Sequence, residues 1–236
     1  MALDVYVGTL TRYYAGQWET ILARMAREQG RILQVVRPDT PSDVVTDPSQ
    51  IAPAIVGWRA MLSDALGDHL AEPLDWTEGM EPPYFTDRPD RDGLGGLLLW
   101  AAYLEQAGLR RPSAYPEDWE NDPAYRASTA ADFRSTYMPT LTSELWLPGD
   151  PAIAFRAEGV AGKDLWISFT AQLLNTLGDL NDRTWRAARA DIAAWRDEGP
   201  PDATDGLERR ARFGFAIFFA LASLAVENRL PMILDY

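Results

Sequence analysis

The stretch Thr86–Gly96, with the sequence TDRPDRDGLGG, combines residue types that can bind a metal ion or a phosphate group. An EF-hand calcium loop needs acidic or amide side chains at positions 1, 3 and 5, glycine at position 6 and glutamate at position 12. When Gly93 is placed at position 6, position 1 is Arg88 and position 12 is Leu99. A cation then replaces one ligand and the bidentate carboxylate is missing, so the spacing argues against calcium.

The glycines of this stretch do not match a phosphate-binding loop either. A P-loop continues from its second glycine into Lys-Ser/Thr, and Lys163, far along the chain, is the only lysine. The dinucleotide fingerprint Gly-x-Gly-x-x-Gly is not the spacing of Gly93-Leu94-Gly95-Gly96. We interpret the stretch as a helix start, in which Asp92 caps a helix beginning near Gly93 and Asp90 adds favourable charge. The glycines then allow close backbone packing.

The same stretch closes a longer acidic segment, residues 64–92, which holds nine acidic residues and two arginines. Acidic loops with aromatic side chains are typical of surfaces that bind a basic protein, because charge steers the encounter and aromatic groups supply affinity. The alternative is that the acids keep the protein soluble while the aromatics pin the loop to the core. The candidate partner surface comprises Glu72, Asp75, Trp76, Glu78, Glu81, Tyr84, Phe85, Asp87 and Asp90.

A second candidate site follows the first predicted strand, where ligands often bind in open sheets. Thr9, Thr11, Arg12 and Tyr13 could together hold a small anion. The alternative is that this segment only carries the chain from the sheet into a helix.

Catalytic and cofactor chemistry is limited by two residue counts. The chain has no cysteine, which excludes disulfides, thiol nucleophiles, Fe–S clusters and thiolate zinc sites. His69 is the only histidine, and no Gly-x-Ser-x-Gly motif is present to supply a nucleophilic serine. We therefore predict no cofactor and no metal, and we assign no catalytic residue. A hydrolase of the glycosidase type, with an Asp/Glu pair beside loop tryptophans, stays open; Trp76, Trp119 and Trp146 fall in predicted loops.

Charge and hydropathy bound the partners and the compartment. The 236 residues are 47% hydrophobic and carry a net charge of −13, so we expect no nucleic-acid binding. The N-terminus lacks the features of a signal peptide. The most apolar run, residues 213–226, is shorter than the roughly 20 residues of a membrane-spanning helix, which predicts a buried core helix. We expect a cytoplasmic protein without a membrane partner.

The patterning predicts an α+β fold, a single mostly helical domain over residues 1–236 with about six helices and a small, partly antiparallel sheet. A split near residues 110–125, where prolines cluster, is the alternative. Residues 67–92 are expected to be a long irregular connection, and 124–143 are ambiguous. Helical stripes or start signals begin near Trp18, Asp47, Leu94, Leu173, Trp185 and Asp205, and the last helix is expected to begin with a reciprocal cap of Asp205 and Glu208. Strands are predicted at residues 3–7, 32–37, 152–158, 163–169 and 232–234. The first is expected to be half-buried, because apolar residues alternate with Asp4 and Tyr6, and the strands at 152–158 and 163–169 are expected to form a hairpin around residues 159–162.

The opening MALDVYVGTLTRYY, followed by Trp18-Glu19-Thr20, resembles the start of a group of bacterial proteins of unknown function. This resemblance covers about the first twenty residues and implies no activity. In general character, a small, acidic, cysteine-free chain with an aromatic loop is similar to immunity proteins that neutralise secreted toxins. Our leading hypothesis is a non-enzymatic binding protein of this type with a basic protein partner. The hydrolase and a homodimeric scaffold subunit are the alternatives, and the oligomeric state is left open.

Overall fold

The computed structural model describes residues 3–31 and 46–235. Half of this part of the chain is helical, and it contains nine α-helices and a six-stranded mixed sheet, which makes the fold α+β. The strands are β1 (Asp4–Val7), β2 (Phe85–Asp87), β3 (Leu145–Leu147), β4 (Phe155–Glu158), β5 (Asp164–Phe169) and β6 (Met232–Asp235). The helices are α1 (Leu10–Tyr14), α2 (Ile21–Glu28), α3 (Pro48–Leu66), α4 (Asp90–Glu105), α5 (Pro123–Ser128), α6 (Met138–Leu141), α7 (Thr170–Arg183), α8 (Arg189–Asp197) and α9 (Leu207–Asn228).

The strand order is β2-β1-β6-β3-β5-β4, so the two ends of the chain meet in the middle of the sheet. Neighbouring strands are antiparallel except for β3 and β5, which are parallel. The predicted hairpin is confirmed as β4 and β5, and the predicted terminal strand is confirmed as β6.

Each face of the sheet packs against its own hydrophobic cluster. Val5 and Val7 of β1 point into a cluster that includes α4, α7 and α9, whereas Tyr6 between them points into a cluster that includes α1 and α3. Met232 and Ile233 of β6 divide in the same way. This alternation follows from the two-residue period of a strand, and it corrects the expectation of a half-buried β1, since all four residues of that strand are buried.

The stretch Thr86–Gly96 does begin a helix, but not as predicted. Helix α4 starts at Asp90, its N-cap is Pro89, and no side chain caps it, so Asp92 is not the cap. The glycines do serve close packing. A Cβ atom added to Gly214 of α9 would lie 2.0 Å from the carbonyl oxygen of Gly93, so the two helix backbones touch where both residues lack a side chain.

Short elements account for most of the other differences. Nine helices replace the expected six because α1, α5 and α6 have only five, six and four residues, too few to show a helical stripe. The irregular connection over 67–92 contains a 3₁₀ turn at Gly67–His69 and strand β2. Strand β3, which includes Trp146, was expected to be loop. The strand predicted at residues 32–37 lies outside the described residues.

Two helices differ from their predicted roles in detail. None of the residues of α2 is buried, although its apolar spacing predicted a core-facing stripe. Helix α9 follows Gly206 without a side-chain cap, so the expected reciprocal cap of Asp205 and Glu208 is wrong. Asp205 instead accepts a hydrogen bond from the Asp202 amide at 2.7 Å, and Glu208 pairs with Arg212.

Helix α9 is the one helix in the described part of the chain with the length and apolar composition needed to cross a membrane. Of its most apolar 18-residue window, 56% is buried inside the structure. Core helices of this kind meet the same criterion, and α9 packs along α4, α7 and α8.

Candidate functional site

The predicted partner segment and the predicted anion site meet at one carboxylate. Glu78 accepts hydrogen bonds from the backbone amides of Leu10 at 3.2 Å and Thr11 at 2.9 Å. It also accepts from the Thr11 hydroxyl at 2.7 Å and from the indole nitrogen of Trp76 at 2.5 Å. The first turn of α1 therefore does hold an anion, and that anion is a side chain of the same protein. Four hydrogen bonds must break before Glu78 can serve an external partner.

The remaining anion-site residues reinforce this contact. The Thr9 hydroxyl donates to the carbonyl oxygen of Gly79 at 2.6 Å and accepts from the Arg12 amide at 3.2 Å, which caps α1. The Arg12 guanidinium donates to the carbonyl oxygens of Met80 and Pro82. These hydrogen bonds connect residues 78–82 to α1 and to the residue before it, so Arg12 stabilises the loop that carries Glu78.

An aromatic cluster closes the same region. Tyr84 stacks on Tyr6 with ring centroids 6.1 Å apart, and Tyr13 stacks on Trp18 at 5.7 Å. The Tyr13 hydroxyl donates to Asp235 of β6 at 2.6 Å. Tyr84 and Tyr13 thus pack the loop and α1 against the sheet, which is the alternative that the sequence left open for the loop aromatics.

The other acids of the candidate partner surface differ in their availability. Glu72 and Glu81 are exposed and form no ion pair with any described residue. Three others are paired within the chain: Asp75 with Arg59 at 3.4 Å, Asp87 with Arg196 at 2.5 Å and Asp90 with Arg88 at 2.5 Å. Trp76 is buried, and Phe85 packs against the cluster on the opposite face of the sheet from Tyr84. The nine residues therefore do not form one continuous face.

A different set of exposed side chains lies on α3 and on the segment directly after it, and we call this set the α3 surface. It consists of Val56, Met61, Asp64, Asp68 and Glu72. The two apolar side chains are 46% and 55% exposed. The three acids are exposed and make no ion pair with the described residues. The buried face of α3 faces the sheet, so helical periodicity directs Val56, Met61 and Asp64 away from it. Asp68 and Glu72 follow on the exposed segment after the helix.

A buried carboxyl group lies at the start of β1. Asp4 is only 2% exposed, and its Oδ1 atom has no hydrogen-bond partner among the described residues. It stands opposite Asp235 in the β1–β6 register. Burial raises the pKa of Asp4 to about 6, with Arg88 opposing the rise and Asp235 adding to it. The group can hold a proton near neutral pH, but it is closed to a substrate.

The histidine and the tryptophans considered for catalysis lie in different environments. His69 is exposed on the 3₁₀ turn. Within residues 3–31 and 46–235, no group of three or more His, Cys, Asp or Glu side chains is arranged to hold a metal ion. Trp76, Trp119 and Trp146 are all buried, so none of them offers a surface on which a sugar could stack.

Sequence reasoning missed two features of the structure. Asp4 interrupts an apolar strand, and that was a usable signal, but the alternation of residues suggested that it faced solvent. The second feature is a groove between α8 and α9, for which the sequence gives no signal beyond the alanines on both helices.

Comparison with known proteins does not extend this description. No family model matches the chain, and no curated protein or solved structure is significantly similar to it.

Proposed function

We propose that the protein is a non-enzymatic binding protein of the immunity type, which neutralises a basic protein partner. The observation that carries the proposal is the α3 surface, where three exposed carboxylates without cationic partners among the described residues follow two exposed apolar side chains along the chain. Compared with the sequence-based hypothesis, the contact moves from residues 72–90 toward α3, and Glu72 belongs to both.

Charge supports this choice of partner. Asp64, Asp68 and Glu72 follow one another on the last turns of α3 and the segment after it. Their charges add to the negative end of the helix dipole, because no basic residue occupies the last turn of α3. Within a chain of net charge −13, this surface attracts a cationic protein from a distance, which accelerates association at low salt.

The exposed apolar side chains of the α3 surface would lengthen the lifetime of the complex. Charged groups at the rim of an interface mainly set the association rate, whereas buried apolar anchors set the lifetime of the complex. Met61 lies three residues before Asp64 on α3, so the two side chains are neighbours on the helix and one partner can contact both. Val56 lies about two turns before Asp64. Small residues between them, including Gly57 and Ala60, leave room for close approach.

The test starts with capture of the partner from native host lysate at low salt, elution at high salt and mass spectrometry. Stopped-flow association is then measured for the wild type and for the triple variant Asp64→Lys, Asp68→Lys and Glu72→Lys. We expect at least about a tenfold slower association at low salt, with a weaker salt dependence.

A second triple variant controls for bulk charge. Glu117, Asp132 and Asp182 are also exposed and unpaired among the described residues. Asp182 is on α7 and Glu117 is close in sequence to Trp119, and both α7 and Trp119 belong to the cluster that contains α4 and α9. Replacement of the three acids by lysine makes the same change in net charge. Equal slowing in both variants, or no slowing in the first, would refute the proposal that the α3 surface is the contact.

A further inference from the structure

A groove of about 180 Å³ lies between α8 and α9, away from the α3 surface. Its floor is apolar and is formed by Ile192 and Ala193 of α8 with Phe219 and Ala220 of α9. The lining positions on each helix recur at three- and four-residue spacing, which places them on one face: 189, 192, 193 and 196 of α8, and 216, 219, 220 and 223 of α9. The alanines leave space that larger side chains would fill.

The two ends of the groove carry different charges. Arg189 is the first residue of α8, and Ser223 lies near the end of α9, so both mark the end of the groove farthest from the α8–α9 connection. Asp197, the last residue of α8, lines the opposite end. Eight residues of helix place Arg189 and Asp197 about 12 Å apart.

The cation at the first end is uncompensated. Arg189 is exposed and makes no hydrogen bond or ion pair with any residue that the structure describes. The other arginine of the groove, Arg196, is held by Asp87 at 2.5 Å. The Ser223 hydroxyl donates to the carbonyl oxygen of Phe219 at 2.7 Å. Arg189 therefore is the group of this groove that can bind an anion, and a guanidinium suits a carboxylate, to which it can donate two parallel hydrogen bonds.

We infer that this groove is a binding site for a small monocarboxylate with a short apolar tail. The carboxylate binds Arg189, and the tail lies between Ile192, Ala193 and Phe219. Liquid water occupies about 30 Å³ per molecule, so the volume of about 180 Å³ admits roughly six heavy atoms. Asp197 at the far end repels a second negative charge, which favours one carboxylate over two.

Hexanoate is the probe, titrated into the 236-residue chain and followed by ¹H–¹⁵N correlation NMR. We expect saturable shifts confined to the residues of the groove, with a Kd on the order of 1 mM for a ligand of this size. Hexanol lacks the charge and adipate adds a second carboxylate, so both should bind at least about tenfold more weakly.

Variants of the groove test where the carboxylate and the apolar tail of hexanoate bind. Arg189→Gln should weaken hexanoate binding about tenfold or more, and Ala193→Leu should abolish it by filling the exposed side of the floor. Arg134→Gln is the control and should leave the Kd unchanged. Arg134 is exposed, does not line the groove and forms no ion pair with a described residue. The inference is overturned if hexanol binds as well as hexanoate, if Arg189→Gln has no effect, or if hexanoate causes no saturable shift in the groove.

Discussion

The Asp4 carboxyl group lies where an ionised side chain is unfavourable. It is buried in β1, it faces Asp235 across the β1–β6 pair, and its Oδ1 atom has no hydrogen-bond partner among the described residues. Burial is the main reason that its pKa rises to about 6, and Arg88 limits the rise. Titration of this residue should therefore be visible in the stability of the whole fold.

The direction of the pH dependence of stability follows from the pKa of Asp4 in the unfolded and in the folded protein. Its pKa is 3.8 when unperturbed and about 6 in the folded protein, so between these values the unfolded chain loses the proton first. The stability linked to Asp4 is complete below about pH 4 and is lost as the pH rises through about 6. The loss amounts to about 3 kcal/mol. Asp4→Asn, whose side chain cannot ionise, should therefore gain in stability over the wild type across this range.

Urea unfolding of both proteins between about pH 4 and pH 8 measures this difference. Asp132→Asn, at an exposed position, is the control and should track the wild type at every pH. A difference between Asp4→Asn and the wild type that does not change with pH would contradict the assigned ionisation.

At the scale of elements, the crossing of α4 and α9 depends on two glycines. A Cβ atom at position 214 would lie 2.0 Å from the Gly93 carbonyl oxygen and 2.6 Å from its carbon, and neither is a flexible side-chain end. Gly214→Ala must push the helices apart, so we expect a loss of about 3 kcal/mol or more in the free energy of unfolding. Gly178 of α7 is the matched control, because nothing lies within 4 Å of its added Cβ. Gly178→Ala should stabilise the protein by up to about 1 kcal/mol through helix propensity. Equal effects of the two alanines in denaturant unfolding would rule out close packing as the reason for Gly214.

The elements that the sequence predicts are those with local signals. Asp47 and Pro48 mark the start of α3, and two apolar runs around a Gly-rich turn mark the β4–β5 hairpin. Strands β2 and β3 have three residues each and exist because β1, β5 and β6 offer them edges. No local pattern encodes such a pairing.

The contact between Glu78 and the start of α1 likewise cannot be read from a local sequence pattern. Residue types alone predict an anion site around Thr11 and place Glu78 in an acidic partner surface. Their mutual hydrogen bond joins positions 67 residues apart in the sequence, so only the tertiary fold shows that each satisfies the other. Burial of Trp76 and Trp146 likewise depends on contacts distant in sequence.

At the scale of the whole molecule, the two hydrophobic clusters share their strands. Val5 and Tyr6 are neighbours in β1 but belong to different clusters, and Met232 and Ile233 divide in the same way in β6. Loss of either cluster exposes one face of the central strands and removes the packing that fixes their register. We therefore predict one cooperative unfolding transition and no separate unfolding near residues 110–125.

Variants that act on one cluster at a time test this coupling. Ile55→Ala removes packing beneath α3, and Leu221→Ala removes packing from α9 on the other side of the sheet. Each should cost about 2–5 kcal/mol. Tryptophan fluorescence reports on both clusters, because Trp58 belongs to one and Trp100 to the other. In both variants, the unfolding midpoint should be lower than in the wild type, and the midpoints from far-UV circular dichroism and from fluorescence should coincide. If Ile55→Ala produced a separate early fluorescence transition while most of the helical signal persisted, the clusters would unfold independently, and the shared strands would not couple them.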